Sequence, residues 1–310
     1  MAKAAIQHPA FTDEEKARAA FEAVRWPNGP VCPQCGNLDQ EKITKGQGKA
    51  ARPGLYYCTA CHGQFTVTVG TVMERSKIPI SKWLFAMHLM ASSKKGMSAH
   101  QMHRMLGVTY KTAWFMAHRI REAMRDASPT PMGGAGKSVQ ADETYYGHSK
   151  RAKSYRKGNR HKNKVVALVE PGGRARAFKV ERVDVGTVRN ILMTNAHRTS
   201  ELHTDESRLY TEVGKEFAAH KTVEHGWNQR GYYVGKDGQT TNNVENFFGI
   251  FKRGMKGVYH FCGEQHLQRY LDEFSFRYSN RSGNGVSDGE RAALVMKGIE
   301  GKRLTYRPTH

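Results

Sequence analysis

From Ser81 to Arg125 apolar residues return at every third or fourth position, whereas beyond Lys137 they come in short blocks rich in Val and Ala. The first pattern predicts helices and the second strands. SKWLFAMHLMASSKK reads as one helix, broken at Gly96. Ser98 and Gln101 make a capping box at the head of SAHQMHRML, Gly107 supplies a turn, and Thr109 caps YKTAWFMAHRIREAM. Nearer the N-terminus, Thr12 and Glu15 form a second capping box. The helix it starts runs through Ala17, Phe21 and Val24 and stops before Pro27. Tyr56–Tyr57 and Phe65–Val69 read as short strands.

Asp126–Lys137, DASPTPMGGAGK, has no periodicity and marks a boundary. Beyond it strands are expected at Ser138–Tyr146, Lys164–Glu170, Ala175–Val183, Ser200–His203 and Lys221–Glu224. A helix is expected at Asp184–Ala196, and two more, Asn243–Arg253 and His266–Tyr278, close the segment. The division that follows is an N-terminal helix with a cysteine-bearing module (1–75), a helical region (76–126), a linker (127–137), a sheet-bearing domain (138–282) and a basic C-terminal tail (283–310). A chain of 310 residues has room for these parts.

Charge narrows the partners. Lys and Arg number 49 against 28 Asp and Glu, a formal net charge of +21. Such a field selects polyanions, nucleic acid first, although a ribosomal or membrane-surface protein shares it. No apolar run approaches the roughly 18 residues of a membrane span. The N-terminus lacks the apolar core of a signal peptide. A cytoplasmic protein with no membrane partner is expected.

Four of the five cysteines form two C-x-x-C pairs, Cys32/Cys35 and Cys58/Cys61, with 22 residues between Cys35 and Cys58. Such turns let paired thiolates share one tetrahedral ion, and two pairs close its shell, which predicts structural zinc. The competing redox reading needs one pair. His62 lies close enough to exchange for a cysteine ligand, and Cys262 reads as a packing thiol.

The helices at 98–124 follow the helix-turn-helix pattern. Ala113, Met116, Ala117, Ile120 and Met124 form the apolar stripe. Tyr110, Lys111, His118 and Arg121 fall on the other side, either as DNA contacts or as a solvated face. Three acids carry the candidate chemistry: Asp142 in the first strand, Asp205 at the end of a later one, and Glu245 on the helix after the last. This is the acid order of an RNase H-like mixed sheet flanked by helices, where distant carboxylates meet at one sheet edge. Glu143 adjoins Asp142 but faces the other side of the strand. Asp205 also suits a turn cap, and Glu245 stands among Asn242, Asn243 and Asn246. Gathered carboxylates repel unless cations neutralise them, and hard oxygens favour two Mg²⁺ or Mn²⁺ ions. Lys252 follows Glu245 by seven residues, on the same helical face, with Arg253 beside it. The run 148–164 is a solvated hairpin or a DNA clamp, with Arg156, Lys157 and Arg160 as its contacts.

The order CPQCG, YYCTACHGQF, GVTYKTAWFMAHRIREAM, ADETYYG, LHTDESRLY and NNVENFFGIFKRGMKGVYH resembles bacterial insertion-sequence transposases of the insertion-sequence 1595 family. The resemblance runs from about residue 12 to residue 281. It implies a multidomain α/β chain with a zinc ribbon, a helix-turn-helix region and an RNase H-like catalytic domain in which Asp142, Asp205 and Glu245 bind metal. It also implies binding to double-stranded DNA at terminal inverted repeats and at the target, cleavage and strand transfer, and a homodimer or larger assembly at the nucleoid. Where family members often carry His-Thr-Asn before the third acid, this chain has Thr240-Thr241-Asn242. A metal-dependent nuclease that never joins, a catalytically inactive DNA-binding regulator, and a basic RNA-binding protein are the alternatives.

Overall fold

The computed structural model describes residues 7–47, 52–147, 162–223, 235 and 238–305. It divides into two compact units, Met1–Arg125 with Ser287–His310, and Asp126–Val286. Among the described residues no helix is long and apolar enough to cross a membrane.

The first unit opens with α1 (Glu14–Arg25). Its cap is Asp13, not Thr12: the Asp13 carboxylate accepts the backbone N–H groups of Glu15 and Lys16 at 3.0 Å. A carboxylate at the positive helix end serves better there than a hydroxyl. A three-stranded antiparallel sheet follows, β1 (Ile43–Lys45), β2 (Tyr56–Cys58) and β3 (Gly63–Phe65), in that order. The strand expected to reach Val69 ends at Phe65, because Val69 N–H bonds Thr66 C=O at 3.0 Å and turns the chain. Trp26, Tyr56 and Phe65 pack as the small aromatic core of this sheet, with ring centroids 5.4–5.8 Å apart.

The helices α2 (Ile80–Ser92), α3 (Ala99–Leu106) and α4 (Tyr110–Met124) come next. The start of α2 is Pro79, which offers no side-chain cap. Glu14 of α1 supplies one, accepting Ile80 and Ser81 N–H at 2.9 and 3.0 Å. Gly107, with φ +58°, makes the left-handed turn between α3 and α4, and the Thr109 hydroxyl caps α4.

The second unit holds β4 (Ser138–Tyr146), β5 (Asn163–Val169), β6 (Ala175–Val180), α5 (Val185–Asn195), β7 (Glu201–Asp205), α6 (Thr211–Gly214), β8 (Ala219–Val223), α7 (Asn242–Gly254) and α8 (Leu267–Ser279). The sheet order is β6-β5-β4-β7-β8. The first three strands are antiparallel neighbours, and β7 and β8 run parallel to β4. Counted from β4 this is 3-2-1-4-5, the RNase H-like arrangement. Helices cover both faces. Val165, Ala167 and Val169 pack with Phe247, Phe251 and Phe274 of α7 and α8. Val139, Ala141, Val166, Leu168 and Leu202 pack with Val188 and Leu192 of α5. The alternation along β5 is strict, as a two-sided strand requires. β6 ends at Val180, not Val183.

The segment expected as a basic tail is a correction. Residues 288–297 form α9 (Asp288–Lys297), which belongs to the first unit and packs on α2, α4 and α1. Ser287 and Glu290 give it a full capping box. Ala292 and Val295 are buried, and Arg291 donates to Ala91 C=O at 2.9 Å. Apolar anchors one turn apart outweigh the charge that made the segment read as solvated.

Candidate active site

Strand pleating decides which acids meet. Val139 and Ala141 face α5, so Gln140 and Asp142 face α7. On β7, Leu202 faces α5, so His203 and Asp205 share the α7 side. Gln140 is paired with His203 in the parallel register. Asp142 and Asp205 each lie two residues further on, Asp142 at the middle of β4 and Asp205 at the C-terminal end of the neighbouring β7. Glu245 comes from the first turns of α7, where the Thr241 hydroxyl donates to its Oε1 at 2.7 Å. One Asp205 oxygen accepts Ser207 N–H at 3.1 Å and holds the turn after β7.

Burial pushes the Asp142 carboxyl up to about 7, and the charges of Glu143, Asp205 and Glu245 push the same way against a stabilising bond from Glu143 N–H. That one carboxylate feels the other three places all four in one region. Glu143 points to the α5 side, where the buried Tyr210 hydroxyl donates to its Oε2 at 2.9 Å. Burial raises Glu143, and the Tyr210 bond opposes this. Sequence reading missed Tyr210 altogether, since a lone Tyr in the turn after a strand carries no pattern of its own.

This field has a measurable cost. Below pH 4 Asp142 is protonated in the folded and unfolded chain alike. As pH rises towards 7 only the unfolded chain releases its proton, so stability falls across that window. Three pKa units at about 1.4 kcal/mol each give an upper bound of about 4 kcal/mol. Asp142→Asn should therefore raise the Tm of the metal-free protein by several degrees at pH 8, with the gain shrinking towards pH 4. A variant that melts with or below wild type at pH 8 would refute the buried-charge account.

The donor set suits a hard divalent ion: carboxylate oxygens from two neighbouring strands and a helix, one of them raised by burial and then by the charges around it. Their atoms are not drawn up to a metal. Among the described residues the only group of three or more such ligand atoms within 4.8 Å of one another is Cys32, Cys35, Cys58 and Cys61.

In that quartet Sγ of Cys32 lies 3.7 Å from that of Cys61, and Sγ of Cys35 lies 3.8 Å from that of Cys58. Four thiolates at about 2.3 Å from a central zinc form a tetrahedron with edges of about 3.8 Å. The cluster is a structural zinc site. Gly36, with φ +72°, lets its N–H return to Cys32 C=O at 2.9 Å and shapes the first knuckle. His62 stays outside the quartet, its Nδ1 3.0 Å from the Tyr57 hydroxyl.

The expected DNA-contact face of α4 is half corrected. Tyr110 and Lys111 are exposed, and Tyr110 stacks on His100 at 4.3 Å. His118 and Arg121 are buried, 1% and 2% exposed, and are not available to DNA. The C-terminal segment returns along α4, where Arg119 Nε donates to Leu304 C=O at 3.2 Å and Lys302 donates to Ala123 C=O at 3.3 Å. A cavity of about 370 Å³ instead brings Arg75, Lys111 and Arg119 together with Ser76, Thr112 and Phe115. Lys252 and Arg253 are exposed on α7, as expected. Arg156, Lys157 and Arg160 lie outside the described residues.

Residues 134–279 match the family described as the ISXO2-like transposase domain. Residues 12–64 match the transposase zinc-ribbon domain of the same IS1595 group. An uncharacterized protein in transposable element ISH50 of Halobacterium salinarum is 24% identical over 286 residues, covering 86% of this chain and 91% of that protein. A chain in the simian T-cell lymphotropic virus intasome bound to PP2A regulatory subunit B56 gamma aligns at 14% identity with a TM-score of 0.29. That alignment spans 56% of this chain and 63% of the other, less than two thirds of its length.

Proposed function

Because the chain belongs to the IS1595 transposase family, through both its zinc ribbon and its transposase domain, we propose that it binds the terminal inverted repeats of an insertion sequence and cuts and joins DNA at Asp142, Asp205 and Glu245. The observation that carries this reading is the half-buried Asp142 carboxyl, held in the field of Asp205 and Glu245 on the α7 face of the sheet. Asp142 and Asp205 would hold a divalent ion from adjacent strands, and Glu245 would complete the set from α7. Magnesium or manganese bound there, as one or two ions, supplies Lewis-acid charge neutralisation at the phosphodiester.

The protein's own part is placement. Lys252 and Arg253 stand on the same helix as Glu245 and offer charge to the strand being cut. A water oxygen displaces the 3′ oxygen at the element end, and the freed 3′-hydroxyl then displaces a 3′ oxygen in the target. Both steps are in-line phosphoryl transfers, which depend on orientation and charge rather than on a protein nucleophile. Two element ends handled together call for at least a dimer on DNA, acting at the nucleoid.

The decisive assay uses labelled inverted-repeat duplex, target plasmid and Mg²⁺. Joined products support transposition. Cleavage that never joins assigns a nuclease, and binding without cleavage assigns a regulator.

DNA contact in the N-terminal unit is proposed for Tyr110, Lys111 and Arg75 rather than for His118 and Arg121. Lys111→Ala and Arg75→Ala should each weaken inverted-repeat binding roughly 3- to 10-fold and lower the slope of log K against log salt by about 0.9 for each phosphate left without its cation. Arg121→Ala should instead lower Tm, because it empties a buried position. Unchanged salt slopes in both surface variants would move the DNA surface elsewhere.

A further inference from the structure

Glu245 sits on α7, whose first N–H, that of Asn242, is met locally by the Thr240 hydroxyl at 3.1 Å. The N-cap residue Thr241 makes no side-chain capping bond. The Thr241 hydroxyl goes to Glu245 instead. The other N–H groups of the first turn still need acceptors. Here Gln140 provides one from the sheet: its Oε1 accepts Asn243 N–H at 2.9 Å and Val244 N–H at 3.2 Å. Two converging donors require oxygen at that position, which fixes the amide orientation. Gln140 is fully buried and precedes Asp142 by two residues, so both side chains leave β4 on the α7 face.

The same amide bears a cost. Gln140 Nε2 is buried without a partner among the described residues, and so is Nδ1 of His203, its register partner on β7. A buried amide with one end unpaired is retained where its other end does something an apolar side chain cannot. From α8, the Tyr278 hydroxyl donates to Asn243 C=O at 3.0 Å and grips the same turn.

We propose that Gln140 is a positioning residue for the metal site: by capping α7 from β4 it fixes the height and rotation of the helix, and so sets Glu245 against Asp142 and Asp205. The proposal rests on the reading of those three acids as metal ligands. Gln140 acts through the helix and touches neither metal nor DNA. Partners one step removed from ligands commonly change metal affinity or activity by roughly 10- to 100-fold when removed.

The test uses full-length, zinc-loaded protein and measures Mn²⁺ binding by water-proton relaxation, beside cleavage rate against Mg²⁺ concentration. Gln140→Met keeps the volume and removes the acceptor. It should weaken Mn²⁺ binding at least roughly 10-fold and shift half-saturating Mg²⁺ upward by the same factor, with inverted-repeat binding unchanged. Gln140→Glu keeps the acceptor at a helix end that favours negative charge. It should stay within about 5-fold of wild type, the size of a partial second-partner effect. Wild-type metal affinity in Gln140→Met overturns the proposal, as does a Gln140→Glu variant that loses as much as Gln140→Met. Should Gln140→Met fail to fold, Gln140→Glu alone decides between an acceptor and a neutral packing group. Wild-type protein that binds no more Mn²⁺ than Asp142→Ala overturns the triad itself, which separates that failure from this one.

Discussion

Asp205→Ala is expected to abolish both cleavage of the element end and joining to target, with single-turnover rates at least about 10³-fold below wild type. The scale is that of losing several kcal/mol of charge stabilisation in the transition state. Asp205 ends β7 beside Asp142, and its charge helps to raise the Asp142 carboxyl. Removing it deletes a ligand and leaves the other acids less crowded. DNA binding should therefore persist or tighten slightly while chemistry disappears. Labelled duplex followed under saturating Mg²⁺ reads the rate, and a gel shift at fixed salt reads the binding. A variant that cuts within about 10-fold of wild type would remove Asp205 from the site.

Zinc removal is expected to unfold the ribbon and leave the catalytic unit standing. The ribbon's own apolar core is small, built around Trp26, Tyr56 and Phe65. Structural zinc contributes apparent free energies of about 10–16 kcal/mol in small modules, comparable to the whole stability of a domain. Cys58→Ser, or a strong chelator, should expose residues 26–65 to protease. The sheet and helices of Asp126–Val286 have separate cores and should keep their melting transition. Limited proteolysis with zinc analysis checks this. A Cys58→Ser protein that retains one equivalent of zinc and a protected ribbon would contradict the four-thiolate site.

Local features were readable from the sequence because local chemistry makes them. Ser98, Gly107 and Thr109 each do what their residue type does best at a helix boundary. The two cysteine pairs meet as their spacing requires. The strand β5 was legible from its continuous apolar run, and β4 and β7 were expected at Ser138–Tyr146 and Ser200–His203, which put Asp142 within a strand and Asp205 just past one. What was not legible depends on distant chain. A helical wheel puts His118 and Arg121 on a polar face, but α2, α3 and α9 all pack on that helix and both side chains are buried. Thr12 looked like a cap because the pattern fits, yet Asp13 is one residue nearer the helix. Gln140 caps a helix from 103 positions away, and no window of sequence contains both partners. Glu14 does the same for α2 across 66 positions.

The place of α9 bears on how the protein is made. Asp126–Val286 is one continuous stretch, complete in sequence before Ser287 leaves the ribosome. The N-terminal unit is interrupted: α2 waits for a helix that follows the entire catalytic stretch. At about 5–20 residues per second, synthesis of the intervening residues takes roughly ten to forty seconds. During that time the surface of α2 that α9 will cover stays open. The ribbon-bearing unit is therefore the last to have all its parts synthesised, after the sheet of Asp126–Val286 already has all its strands.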